Sequence, residues 1–367
     1  MEVDKNGGVK SSNIVESVIN SNARLIYDDV SNYLENGDDY LVKRYGEELI
    51  TQLDNAKELM EILNRKRESK GAIDFDFAEG KIYLDKDAKV IDIKKEDRRV
   101  ANRLIEEFMI LANETVSETY FWMDVPFLYR IHEYPDEEKI NEFTNFARGL
   151  GYSIKLTQNE IHPRELQNLI RDVKGKKEEA VVSRMMLRSL KKARYSNVQD
   201  FHFGLASEYY SHFTSPIRRY PDLQIHRIIK ENLNGKLNEG RIEHYSGILK
   251  EVADSSSVAE RTAQEAERDV EKVKKAEYME DHIGEQFEGV ISGITGFGIF
   301  VELPNTVEGL ISYNILDDDF YIYDPDKMKA IGEKEGKEFN LGDKLIIEVI
   351  NADAEKAIVD FKLVERV

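Results

Sequence analysis

Residues 287–294, FEGVISGI, and 298–303, GIFVEL, alternate apolar and polar side chains around the turn Thr295-Gly296-Phe297. A period of two sends one face of each segment to a core and the other to solvent, which is the pattern of β-strands. VEGLISY (307–313), KLIIEVI (344–350) and AIVDFKL (357–363) repeat it. Short alternating strands joined by Gly and Asp turns predict a five-stranded closed barrel over residues 283–367. The connection from Asn314 to Leu341 is long for such a barrel. The character of the chain changes at Ile283-Gly284.

Upstream of that boundary the period is mostly helical. Apolar residues at Ile14, Val15, Val18 and Ile19, then Val30, Tyr33 and Leu34, predict helix over 14–36 with a break near Asn20–Arg24, closed by Gly37. Helices are also predicted over 41–69, 96–121, 136–149, 163–174, 178–194 and 221–235. A long charged helical region covers 241–281, with Ser257 and Glu260 as a capping box at one start. IDFDF, KIYLD and VIDI, within 72–93, predict a small antiparallel meander, and PFLYRIH a short strand after Pro126. The fold class is α+β: helices around a sheet over 1–282, then a barrel over 283–367.

The 367 residues suffice for two or three domains, and the formal net charge is -19. With no cysteine, a disulfide framework and a thiolate metal site are both excluded. The polar start MEVDKNGGVKSSN has no apolar core of a signal peptide, and no stretch is apolar for long enough to span a bilayer. A cytoplasmic location with no membrane partner is expected. Acidity on this scale argues against nucleic acid unless charge is segregated. Between Arg171 and Lys230 there are thirteen basic and six acidic residues, which suits a lined groove inside an acidic protein.

The densest chemistry lies at His212-Phe213-Thr214-Ser215-Pro216-Ile217-Arg218-Arg219-Tyr220-Pro221-Asp222-Leu223. Pro216 suits the first turn of a helix and Ser215 its N-cap. Free amides at a helix start attract phosphate, and two adjacent guanidiniums add bidentate, charge-assisted contacts. The plainer alternative is a helix start whose arginines pair with surface carboxylates.

HFTSPIRRYPDLQIHR (212–227) resembles the hallmark of the RNB catalytic domain of the RNase R and RNase II family. Companion matches follow in the family's order: VINSNARLIYDDV (18–30), AIDFDFAEGKIYLD (72–85), ANRLIEEFMILAN (101–113), PFLYRIHEYPDEEKI (126–140), VKGKKEE (173–179), MLRSLKKARYS (186–196) and HFGLA (202–206). The resemblance implies processive 3′→5′ hydrolysis of single-stranded RNA to nucleoside monophosphates. It also implies that Arg218 polarises phosphate at the scissile bond, with Glu267 near the same site. Ser215, Arg219 and Tyr220 would contact RNA beside them. Glu106 would line the RNA path, with Glu107 as the competing register. Without the resemblance, Glu106 and Glu267 read as solvated helix faces.

The family holds Mg²⁺ on a cluster of four aspartates, and hard cations do need several carboxylate oxygens. No Asp-x-Asp-Asp run stands here: Asp28-Asp29, Asp38-Asp39 and Asp317-Asp318-Asp319 fall in other contexts. No metal ligand is therefore assigned, and the chain alone is expected to be inactive. Truncation, a split gene and a degenerate protein each explain the pattern, and the retained motifs favour truncation. The missing N-terminal half would then be a partner. The alternative function is a non-catalytic single-stranded RNA-binding protein or subunit acting through the barrel.

The barrel resembles the S1-type OB fold. Phe297 and Phe300 match its exposed aromatics, where stacking contributes about 1–3 kcal/mol per base. Their i, i+3 spacing puts them on opposite faces of an ideal strand, so a bulge is expected between them, or one ring is core. Ser312 stands where the family has histidine, and Ala357 where it has a last-strand arginine. Both departures imply weaker RNA binding.

Overall fold

The structure, a computed structural model, describes residues 1–74, 79–157, 160–176, 178–325 and 328–367. A short hairpin opens the chain, β1 (Glu2–Val3) and β2 (Val9–Ser11), its turn held by the Asp4 carboxylate, which accepts the Asn6 and Gly8 amides at 2.8 and 2.9 Å. Residues 12–26 then form no regular element. This corrects the helix predicted from residue 14. Val15, Val18 and Ile19 have the spacing but nothing to pack on, and Val18 is 103% exposed. An amphipathic helix depends on burying its stripe.

The helices α1 (Tyr27–Asn36), α2 (Tyr40–Tyr45) and α3 (Glu47–Lys70) follow. Gly37 ends α1 at φ 72°, as the sequence implies. The single helix predicted over 41–69 is broken at Gly46, whose φ of 80° is open to glycine and costly for other residues. Leu34, Leu41, Met60 and Leu104 join these helices to α4 (Val100–Trp122) in one core. Between them stands a hairpin, β3 (Glu79–Leu84) and β4 (Val90–Glu96). The first strand of the predicted meander, IDFDF, falls largely outside the described residues, and the Ile73 amide donates to Gly204 O at 2.8 Å.

Downstream come β5 (Tyr129–Ile131), α5 (Glu137–Gly149), the β6 (Leu156–Thr157) and β7 (Glu160–Ile161) pair, α6 (Pro163–Val173) and α7 (Glu179–Ser189). Phe143, Leu166, Val182 and Met186 pack these helices together. The helix predicted to 194 stops at Ser189, because β8 (Arg194–Ser196) leaves it to pair with β5. A third core joins Tyr120 of α4, Ile131 of β5, Ile225 and Ile228 of α8 (Tyr220–Leu233) and Leu249 of α9 (Glu239–Glu280).

Helix α9 is one unbroken element, about 63 Å long at 1.5 Å per residue. The capping box expected at Ser257 is not used. Its hydroxyl donates to Ala253 O and accepts the Tyr195 amide at 3.0 Å, so it ties α9 to β8. Residues 261–270 are exposed all round, while Ala276 and Met279 beyond them enter the barrel core.

The barrel closes in the order β10-β11-β16-β15-β9, from β9 (Gln286–Ile294), β10 (Gly298–Glu302), β11 (Glu308–Ser312), β15 (Lys344–Asp353) and β16 (Ile358–Arg366). The long connection is ordered as a three-stranded sheet of β12 (Tyr321–Asp324), β13 (Lys329–Gly332) and β14 (Glu338–Asn340). Val90 and Ile93 of β4 belong to the barrel's core, so the β3–β4 hairpin is the bracket on which the barrel sits. Arg184 of α7 makes a second tie, donating to Ser292 O and pairing with Glu302 at 3.2 Å.

Glu107 is 3% exposed and its Oε1 accepts from Arg67 at 2.7 Å and Asn64 at 3.1 Å, clamping α4 to α3. Removing one partner of such a buried pair strands the other charge, at a cost of roughly 3–5 kcal/mol. Chemical denaturation of Glu107→Ala should show a loss of about that size, against about 1 kcal/mol or less for Glu106→Ala, whose pair with Arg98 is partly exposed. Equal losses would contradict the assignment of Glu107 as the structural register.

Candidate nucleic-acid interface

Residues 212–219 of the motif form a shaped loop, and the helix start falls later in it than the sequence implies. Helix α8 begins at Tyr220, with Arg219 as N-cap and Pro221, not Pro216, in its first turn. Ser215 is therefore not a cap, which corrects the sequence expectation. Two prolines fit the first-turn rule equally well, and tertiary contacts choose the second. Residues 216–218 form a turn in which the Arg218 and Arg219 amides both point at Ser215 O, at 3.3 and 3.0 Å.

Asp222 holds this turn. Its side chain is wholly buried, and Oδ1 accepts the Ser215 amide at 2.8 Å, Arg219 Nε at 3.1 Å and Arg219 Nη2 at 2.7 Å. Arg219 is thus tied down internally, and the Ser215 amide is already used. Arg218 is exposed and makes no ion pair among the described residues, as expected for a guanidinium kept for an external anion. Tyr220 beside it is 50% exposed.

A buried polar layer supports the loop from behind. Phe213 lies flat on His226, with ring centroids 4.3 Å apart, and its amide donates to Asn113 Oδ1 at 2.9 Å. Asn113 Nδ2 donates to the Tyr210 hydroxyl, and Tyr195 Oη meets His212 Nδ1 at 2.9 Å. Arg130 stacks over Tyr195 and pairs with Glu260 of α9 at 2.6 Å. Burial, with Arg219 and Arg130 nearby, pulls His212 down to about 2, and burial with His132 beside it pulls His202 down to about 3. Sequence reasoning passed over Asp222, Asn113, Tyr195 and His212 as partners. Asp222 and His212 stood inside the motif, and Asn113 and Tyr195 inside the companion matches at 101–113 and 186–196.

The other predicted residues lie apart. Glu267 is exposed on α9, two turns beyond Glu260 and so on the same helix face, with no ion pair to the loop among the described residues. Glu106 pairs with Arg98 at 2.7 Å, and Arg98 pairs in turn with Asp74 at 2.7 Å. On the barrel, Phe297 is 59% exposed and its ring meets that of Phe300 edge to face at 6.0 Å. The two share a face because Phe297 sits in the turn before β10. The register shift falls after Phe300, between it and Val301, so no bulge separates the rings. Ala357, expected in the last strand, lies in the turn before β16 at φ 53°.

Residues 1–235 match the RNB domain and residues 280–363 the S1 RNA binding domain. The chain belongs to the RNB family. It is 44% identical over 369 residues to Ribonuclease R of Thermotoga maritima, aligning all of this chain with 51% of that protein. Against Ribonuclease R 1 of Lactococcus lactis it is 42% identical, over 99% of this chain and 44% of the relative. The Mycoplasma genitalium RNase R solved with ribose-methylated single-stranded RNA superposes with TM-score 0.84 at 28% identity, over 92% of this chain and 53% of that one. This RNB chain spans about half the length of the curated relatives it matches. Among the described residues, no helix is long and apolar enough to cross a membrane.

The buried histidines make stability depend on pH. His202 and His212 are neutral when folded and titrate near 6.5 when unfolded. Protons then bind the unfolded chain preferentially, so stability is full above about 6.5 and falls as pH drops towards 3. Urea denaturation should show a loss of roughly 2–3 kcal/mol between pH 7.5 and 5.5, above the range where carboxylates titrate. A flat profile across that interval would show that these rings are not buried as neutral groups.

Proposed function

We propose that this chain is the RNA-gripping C-terminal portion of a processive 3′→5′ exoribonuclease that degrades single-stranded RNA to nucleoside monophosphates. Residues 1–282 hold the phosphate chain and residues 283–367 stack its bases. The reading rests above all on Arg218, an exposed guanidinium with no ion pair among the described residues, on a turn fixed by a buried carboxylate within an RNB domain. Bidentate phosphate contact is what such a group does best. Ser215 and Tyr220 flank it. Arg219 acts on RNA through the Asp222 pair that shapes the turn. Glu267 and Glu106 line the path, and Phe297 with Phe300 receive bases. The Mycoplasma relative's RNA complex supports RNA as the ligand.

The family resemblance implies Mg²⁺, but this chain's residues do not fit it. Among the described residues, no three His, Cys, Asp or Glu converge in a way that could hold a metal ion. A hard cation asks for several oxygens at once. We therefore derive no hydrolytic step from these side chains. On this reading the metal ligands come from a partner, the counterpart of the half of the relatives that this chain does not match. The same lack of convergent ligands favours the second reading, a non-catalytic RNA-binding subunit in a cytoplasmic setting.

Fluorescence anisotropy with a labelled single-stranded oligoribonucleotide separates these ideas. Arg218→Glu should weaken binding about tenfold or more and flatten the slope of log K against log salt by about 0.7, one phosphate contact on a single strand. With Mg²⁺ the chain alone should give no ladder from the 3′ end. Unchanged binding would refute the phosphate role of Arg218. Trimming that Arg218→Ala abolishes would refute dependence on a partner.

A further inference from the structure

Helix α4 ends on an exposed aromatic cluster. Trp122, the single tryptophan of the chain, is its last residue and is 69% exposed. Two half-buried rings hold the indole in place. Phe121 meets it edge to face at 5.2 Å, and Tyr209 lies 6.2 Å from it and 4.8 Å from Phe121. Met123 is exposed beside them. Val198, also exposed, is brought to this side by its neighbour Gln199, whose side chain donates to Glu208 O. Tryptophan and tyrosine grouped in an exposed apolar patch mark an interaction surface.

The charge around the patch selects the partner. Glu118 lies one turn before Trp122 on the same helix face, Asp124 two residues after it, and Glu208 next to Tyr209. All three carboxylates are exposed and make no ion pair among the described residues. Asp124 and Tyr209 converge on one place, since burial, with these two nearby, pushes the Tyr129 phenol up to about 12. The segments that build the surface, 104–129 and 195–217, contain no lysine and no arginine. Carboxylates with no cation among them repel a phosphate backbone. The same carboxylates and the open face of an indole attract a guanidinium, which binds within about 6 Å of a ring centre.

We propose that this surface docks a segment of a partner protein that carries arginine among aliphatic side chains. One guanidinium lies over Trp122, flanked by Glu118 and Asp124, and the aliphatic groups rest on Met123 and Val198. Arginine suits the site better than lysine, because its planar head stacks on an aromatic face. The chain then offers two surfaces of opposite charge, the Arg218 turn for phosphate and the end of α4 for a basic protein.

The full chain reports on the site directly, because its one tryptophan is the centre of the patch. The probe is a short capped peptide of alternating arginine and leucine. Its control carries neutral citrulline in place of arginine. Titration with the arginine peptide should shift Trp122 emission saturably, and the citrulline peptide should bind about fivefold more weakly or worse. Asp124 stands at φ 53°, a left-handed backbone that asparagine also tolerates, so Asp124→Asn should fold normally. Asp124→Asn and Glu118→Gln together should weaken the arginine peptide about fivefold. With a labelled peptide followed by anisotropy, Trp122→Ala should lose about as much. Wild-type affinity in these variants would reveal only general attraction to an acidic chain and would overturn the site. So would equal affinity for the citrulline peptide, or an unchanged emission. If the labelled oligoribonucleotide shifts Trp122 emission and the peptide does not, the surface stacks bases and the protein partner is overturned. Failure here leaves the RNA reading standing, because the test uses neither Arg218 nor the barrel.

Discussion

One buried carboxylate sets the geometry of the candidate site. Asp222 has no access to water, and its Oδ1 gathers a backbone amide and two guanidinium nitrogens. A buried charge is tolerable only when it is paired and hydrogen-bonded in this way. The pairing fixes Arg219 inward, and the turn over 216–218 projects Arg218 outward as a consequence. Two neighbouring residues of one type therefore have opposite roles. One is an internal tie, and on the proposed reading the other grips phosphate.

The same division runs through the basic stretch from Arg171 to Lys230. Its composition suggests a continuous groove, yet many of its cations are committed. Arg184 ties α7 to the barrel, Lys191 pairs with Asp136, and Arg194 pairs with Glu133. Arg218 on the turn and Arg188 beside the barrel have no ion pair among the described residues, and neither do Arg171, Lys174 and Lys192. The Arg184 contacts also help place the barrel. With Val90 and Ile93 in the barrel core and the end of α9 beside them, its position follows from packing on three separate elements. The middle of α9, exposed on every side, spans the interval as a strut.

Much of this was legible in the sequence where burial is one-sided. The barrel strands, α4, α5 and α6 announce themselves because their apolar period matches a face that a partner covers. Reading failed where the deciding contact is distant. Val15, Val18 and Ile19 have a helical spacing, but periodicity cannot reveal that nothing packs on them. Strand β8 is three residues long and exists because β5, more than sixty positions away, pairs with it. Pro216 and Pro221 are equivalent by local rules, and Asp222 decides between them. The residue types of the site were legible, since the motif already holds the arginines and the aspartate. Their opposite orientations were not, because those follow from which one meets the buried carboxylate.

On the proposed reading, Asp222 acts on RNA only through the posture of Arg218. A double-mutant cycle on RNA affinity, using Asp222→Asn, Arg218→Ala and the pair, with folding checked by circular dichroism, measures that directly. Each single change should weaken binding, and the double should be little worse than Arg218→Ala alone, a coupling on the order of 1 kcal/mol or more. Strictly additive losses, or wild-type affinity for Asp222→Asn, would show that the buried carboxylate does not set the grip.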